Sequence, residues 1–500
     1  MKTQKYILGI DQGTSGTRAL LLNDDWEIHS QGYFEHQQYY PKPGWVEHDP
    51  AEIWEKTKKS LAQAIKNAQI NKSDIKALGL DNQGETVIVW DKNTGQAIYN
   101  AVVWQDRRTS KMADKLKKDH GKLIKKKTGV VVDSYFSALK IKWILDNVEG
   151  AREKAEKGEL LAGTTDTWLI WNMTGRRLHM TDYSTASRTM LLNIHNKKWD
   201  KEILDILDIP LKILPELKNS SGVYAKTDPD CFLGLELPIA GSAVDQQAAL
   251  FGQTCFEAGT VKTTYGTGCF MLMNTGDKIV NSENGLLTTV AWGLDDKLTF
   301  ALDGGVYITG GAVQWLRDGL KIIDNAAQSE TMAKAVEDTG GVFFVPAFSG
   351  LAAPHWDQYA RGTLIGITGG TEREHIVRAT LESIAYQVND NLKVMKKDSG
   401  MDIDVMRVDG GAVVNEFLMQ FQADILDIPV DVPAITETTA LGAAYLAALG
   451  IGIFDDLEEI AKKWKLAKRY EPQMSSKKRE YLIGRWQEAV KRSKDWAKGE

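Results

Sequence analysis

Cysteine is nearly missing from the chain, with three in 500 residues: Cys231, Cys255 and Cys269. They show no C-x-x-C spacing and no companion histidine cluster, which argues against a zinc site or a disulfide framework. Long hydrophobic runs are missing too. No stretch approaches the roughly 18 apolar residues of a membrane span. The apolar segment before Asp11 in MKTQKYILGIDQG has only about five residues, short of a signal h-region. The expectation is a cytoplasmic protein with no membrane insertion. A basic excess is also lacking, since the formal net charge is −6, and nothing in the balance invites nucleic acid. The basic run Lys117, Lys118, Lys122, Lys125, Lys126, Lys127 has no interleaved aromatics to stack bases, so it reads as a solvated helix face.

What remains is ordinary for a globular α/β protein: 43% hydrophobic, 26% charged, 44 glycines. Five hundred residues are too many for one core, so two domains are expected, 1–250 and 251–500. The pattern along the chain agrees. An apolar strand, Tyr6–Ile10, enters the polar turn DQGTSGT and a second apolar strand, Ala19–Leu22, leaves it. A helix follows from about Pro50 to Ala68, then a strand, Ile75–Leu80, ending in Asp81–Asn82–Gln83–Gly84–Glu85. After residue 250 the design restarts: Gly259–Thr264, the turn Tyr265–Gly266–Thr267–Gly268, then Phe270–Met273. Val405–Val408 runs into a third glycine turn, Asp409–Gly410–Gly411–Ala412. The Lys-rich stretch from Ser475 reads as a closing amphipathic helix.

Turns of this kind suit phosphate. Glycine lets the backbone come close, Ser and Thr hydroxyls add donors, and Asp11 can hold Mg²⁺ directly or through water. One such turn is equally a plain hairpin. Two, one in each half, can clamp a nucleotide from both sides of a cleft. There is no GxxxxGK[ST] loop and no strand–GxGxxG–helix fingerprint. That leaves the two-lobed architecture of actin and hexokinase, in which each half has a ribonuclease-H-like core.

The strings GIDQGTSGTRA, YPKPGWVEHDPAEIW, DTWLIWNMTG, TDYSTASRTML, DQQAALFGQ, TYGTGCFMLMNTG, RATLESIAYQ, RVDGGAVVNEFLMQFQADIL and TALGAAYLA together resemble the FGGY family of carbohydrate kinases, its glycerol branch in particular. The likeness runs from about residue 5 to residue 495. It implies an α/β fold of two ribonuclease-H-like (actin/hexokinase-type) domains, with the active site in the cleft between them. It also implies ATP and Mg²⁺ as cofactors, a small polyol acceptor, and a dimeric or tetrameric homo-oligomer. By the same likeness Thr14, Ser15 and Arg18 contact ATP phosphates with Asp11 near the metal, Thr267 forms the second phosphate turn, and Gly310, Gln314, Gly411 and Asn415 belong to the nucleotide site. On spacing alone, Gly310 and Gly411 are equally simple turn residues.

On the acceptor side the resemblance points to Asp245 and Gln246. Phosphoryl transfer to an alcohol needs positioning, charge neutralisation and a carboxylate to take the hydroxyl proton, and Asp245 is the candidate base and a second metal candidate. Standing before an apolar helix, it also reads as an N-cap. Glu85, Trp104, Tyr135 and Phe270 match the family's polyol pocket, although aromatics in this chain are otherwise core residues.

The chain departs from the family at one pocket position. The glycerol branch reads Gln-Arg-Glu-Thr where this sequence has Gln83–Gly84–Glu85–Thr86. A hydrogen bond from a charged donor contributes roughly 1.5–3 kcal/mol, so three outcomes stand open. Glycerol binds more weakly; another cation fills the gap, Arg107 and Arg108 being nearest in sequence; or the space admits a longer polyol or a pentulose. Regulation is expected to differ as well. The stretch TDPDCFLGLELP has no arginine and two aspartates, unfavourable for fructose 1,6-bisphosphate, and no histidine lies between Asp200 and Phe300. The competing readings are a pentulose kinase and, from another class, an actin-like ATPase.

Overall fold

A computed structural model describes residues 4–498. Two mixed sheets organise it. In the first, β1 (Tyr6–Gln12), β2 (Gly16–Leu22) and β3 (Ile28–Glu35) form an antiparallel meander. Strands β4 (Ile75–Asn82), β5 (Ser221–Lys226) and β6 (Pro238–Val244) complete the order β5-β6-β4-β1-β2-β3, with β4 parallel to β1 and β6 parallel to β4.

The second sheet repeats this plan with β7 (Val261–Tyr265), β8 (Cys269–Gly276), β9 (Leu287–Leu294), β10 (Lys297–Val306), β11 (Met406–Gly410), β12 (Val430–Pro433) and β13 (Leu466–Tyr470). Their order is β9-β10-β8-β7-β11-β12-β13. Here β7, β8 and β10 are the antiparallel trio, and β11 and β12 run parallel to β7. Five strands of each sheet, β3-β2-β1-β4-β6 and β10-β8-β7-β11-β12, therefore share one topology. The two sequence hairpins are its first turns. Buried parallel strands need apolar side chains on both faces, and LGI in β1 and LGL in β4 supply them.

The helices used below are α1 (Pro50–Ala68), α2 (Ser110–Thr128), α3 (Ser137–Asn147), α4 (Asp245–Gly252), α5 (Gly310–Asp318), α6 (Glu416–Leu426), α7 (Thr438–Gly450) and α8 (Ser476–Ser493). Asp49 caps α1 through Ala51 N, and Ser475 caps α8 through Lys478 N. Both helices follow the sequence expectation, as does the lysine-rich face of α2. Late in the chain, α7 lies against the first sheet. A Cβ on Gly9 would meet the Ala440 carbonyl oxygen at 2.3 Å, and one on Gly79 would meet that of Ala443 at 1.8 Å, so only glycine lets strand and helix approach this closely. One apolar cluster takes residues from both sheets and from α7, among them Ile7, Ala77, Leu272, Ala301 and Ala444. Among the described residues no helix is long and apolar enough to cross a membrane.

Candidate active site

Three carboxylates stand where parallel strands end. Register pairs Asp11 of β1 with Asp81 of β4, and Val244 of β6 with Asn82, so Asp245 leaves the sheet beside them. In open α/β sheets ligands gather at the carboxyl ends of the strands. Both oxygens of Asp81 are buried without a hydrogen-bond partner. Burial and the neighbouring Asp11 push the Asp81 carboxyl well above its ordinary range, and burial also raises Asp11. An orphaned, buried carboxylate next to a second one fits a divalent cation. Among the described residues no group of three ligands closes around a single point. Such a cation would keep waters or phosphate oxygens, as Mg²⁺ does. In the sequence Asp81 stands only as part of a polar cluster at a strand end, because the parallel register alone sets it beside Asp11.

The first turn carries Thr14 and Ser15. The indole Nε1 of Trp104 donates to Thr14 Oγ1 at 2.8 Å, which joins the turn to the aromatic pocket, and Ser15 is exposed. Arg18 lies opposite Asp11 in β2 and pairs with Glu437 at 3.3 Å. The second turn is one residue tighter: Gly266 N donates to the Gly268 carbonyl at 2.8 Å, where Gly13 N in the first reaches Gly16 O at 3.0 Å, and Thr267 is exposed. Its carbonyls receive the start of α5: Gly310 N donates to Gly266 O at 3.1 Å, and Gly311 N to Thr267 O at 2.9 Å. A Cβ on Gly310 would sit 2.5 Å from Gly266 O, so this glycine permits a close approach. Gln314 is exposed on α5. Tyr265 pairs with Gly410, so the second turn and the Gly411 loop leave the sheet together. Space is open at Gly411. Asn415 is partly committed elsewhere, because its side-chain oxygen caps α6 by accepting from Leu418 N at 2.9 Å.

Asp245 is the first residue of α4, and Val244 holds the N-cap position. The capping alternative therefore falls: among the described residues the Asp245 carboxylate accepts only from its neighbour Gln246 N, at 2.7 Å. Burial foremost, then the Glu85 charge, raises its pKa to about 7. Gln246 turns its carbonyl to the buried Lys262 Nζ at 2.5 Å.

The residues expected to hold the acceptor come from both halves of the chain. Trp104 meets Tyr135 edge-on with centroids 5.7 Å apart, and Phe270 of β8 at 6.5 Å. Glu85 is buried and holds φ 59°. Arg188 Nε donates to Glu85 Oε1 at 2.6 Å, and its Nη1 to Asp303 Oδ2 of β10 at 2.8 Å. Burial pushes the Glu85 carboxyl up, against the pull of Arg188.

These contacts correct the expectation at Gly84. The volume there is not an arginine-sized opening, since a Cβ would lie 2.6 Å from Val244 Cγ2 and 3.9 Å from Arg188 Cγ. The neighbouring cation is Arg188, neither Arg107 nor Arg108. Arg108 is spent on Glu47 and Asp106 at 2.7 and 2.8 Å, stacked under Trp45. Arg107 pairs with Asp133 at the pocket rim. Arg188 and Asp303 escaped the sequence reading because their partners lie 103 and 115 residues apart, although TDYSTASRTML had marked the segment.

Comparison with known proteins shows the family. Residues 6–252 match the N-terminal domain of the FGGY family of carbohydrate kinases, and residues 261–451 match its C-terminal domain. The chain is 61% identical to glycerol kinase 2 of Thermotoga maritima, over 99% of this chain and 100% of that one. It is 60% identical to a glycerol kinase of Caldanaerobacter subterraneus, over 99% of each. The fold superposes on the crystal structure of Plasmodium falciparum glycerol kinase with ADP, with a TM-score of 0.92 and 38% identity over 98% of both chains.

Proposed function

The chain belongs to the FGGY family of carbohydrate kinases, and we propose that it phosphorylates glycerol with ATP, using Asp245 as general base. It is an enzyme, a phosphotransferase with an alcohol acceptor. Full-length likeness to proteins named glycerol kinase supports the substrate. The single observation behind the base is Asp245 itself: a half-buried carboxylate with one donor among the described residues, its pKa raised to about 7, between the Asp11–Asp81 pair and Glu85.

In this reading Asp11 and Asp81, with Asp245 beside them, would hold Mg²⁺, which would supply neutralisation of the charge that builds on the phosphate during transfer. Thr14, Ser15 and Arg18 contact the phosphates from one lobe and Thr267 from the other. Gly310, Gln314, Gly411 and the amide of Asn415 border the nucleoside. Trp104, Tyr135 and Phe270 pack on the carbon skeleton, while Glu85, Gln246 and the guanidinium of Arg188 orient hydroxyls. Asp245 takes the proton of the reacting hydroxyl. The oxygen of that hydroxyl bonds to the γ-phosphorus as the bond between this phosphorus and the β–γ bridging oxygen breaks, releasing ADP.

ADP release by the enzyme should depend on added glycerol. Asp245→Asn should lower kcat by about 10²- to 10⁴-fold, the span of general-base catalysis, with the circular dichroism spectrum unchanged. Turnover that survives this substitution refutes the assigned base.

A further inference from the structure

Glu85 carries φ 59° in the left-handed region, where a residue with a side chain is held against its preference. Its carbonyl oxygen shows what holds it. Ser137 Oγ donates to it at 3.2 Å and Lys140 Nζ at 3.4 Å, both from the first turns of α3. The same Nζ donates to the carbonyls of Tyr135 and, at 3.3 Å, Phe136. Lys140 is fully buried, and all three of its acceptors are neutral main-chain oxygens. An ammonium group in such a place is costly, and burial draws its pKa down to about 7. Filling the space would need only an aliphatic side chain. What the ammonium adds is a knot between two main-chain segments 50 residues apart, one bearing Glu85 and the other Tyr135.

We propose that Lys140 is a positioning residue for the acceptor alcohol: by tying the carbonyls of Glu85 and Tyr135 together, it fixes the strained Glu85 backbone, and so the Glu85–Arg188 pair, against the Tyr135 ring. This rests on the glycerol kinase reading above. Ser137 is its lesser partner, and neither side chain touches substrate.

The test is steady-state kinetics of Lys140→Met and Ser137→Ala with glycerol and Mg·ATP varied in turn, beside their unfolding temperatures. Lys140→Met should raise KM for glycerol about tenfold or more, the equivalent of one charged hydrogen bond, while KM for ATP stays within about twofold. Lys140→Arg, which keeps donors at the knot, should recover part of the loss. A glycerol KM that is unmoved, or that rises in step with the KM for ATP, overturns the proposal. Should Lys140→Met fail to fold, Ser137→Ala decides: a rise of about threefold in glycerol KM alone, at unchanged melting temperature, supports the knot, and no rise overturns it. Failure of the underlying reading looks different, because the unaltered enzyme would then show no glycerol-dependent ADP release.

Discussion

At position 84 the smallest residue stands beside a branched one, and the two have to be considered together. Val244 Cγ2 fills the point from which any larger side chain at 84 would start. Arginine placed there alone must displace Val244, which adjoins the proposed base, and overpacking of this kind costs about 1–3 kcal/mol. Gly84→Arg should therefore lower the melting temperature and raise the KM for glycerol. Combined with Val244→Gly, it should regain much of both, a non-additive coupling on the order of 0.5–3 kcal/mol. Thermal melts and glycerol kinetics on the four forms measure it; strictly additive effects would show that the two positions do not share the space. A glycine turn in the sequence and the family resemblance singled out, respectively, the pair Asp11 and Thr14 and the pair Glu85 and Asp245. They gave no role to Asp81, Arg188 or Lys140, whose importance comes from the register of β1 and β4, from ion pairs to residues 103 and 115 positions away, and from the packing of α3, in that order.

Among the elements, the two glycine turns were the most legible, because each is a short polar interruption between two apolar strands. Less legible was what each turn leans on. The second rests on the start of α5, whose N–H groups occupy the turn's carbonyls rather than pointing into free space. Gly310→Ala would press a Cβ on Gly266 O, 2.5 Å away, and break the bond between their main chains. Losing about 1 kcal/mol of one such bond corresponds to roughly a fivefold higher KM for ATP, with the glycerol KM little changed. Equal effects on both substrates would mean that the turn supports the whole cleft and not the nucleotide side. Helix ends were also readable, since Asp49 and Ser475 carry capping side chains. The start of α4 misled for the same reason: Asp245 is a cap-type residue one position too late, behind Val244.

For the whole molecule, the repeated sheet topology was readable only as a restart of pattern near residue 250. That β3-β2-β1-β4-β6 and β10-β8-β7-β11-β12 are the same arrangement depends on pairings between strands far apart in sequence. Nor did the sequence announce that α7, near residue 440, would cover the sheet begun at residue 6. That cover bears on how the chain is made. A ribosome releases residues 1–252 long before Thr438–Gly450 exist, so the first sheet waits with bare glycine-lined strands and an unfinished apolar layer. The fragment 1–252 expressed alone should aggregate or bind a hydrophobic dye. Supplying residues 253–500 on a second chain should restore solubility, and a monomeric, dye-silent fragment would show that the early half closes on its own.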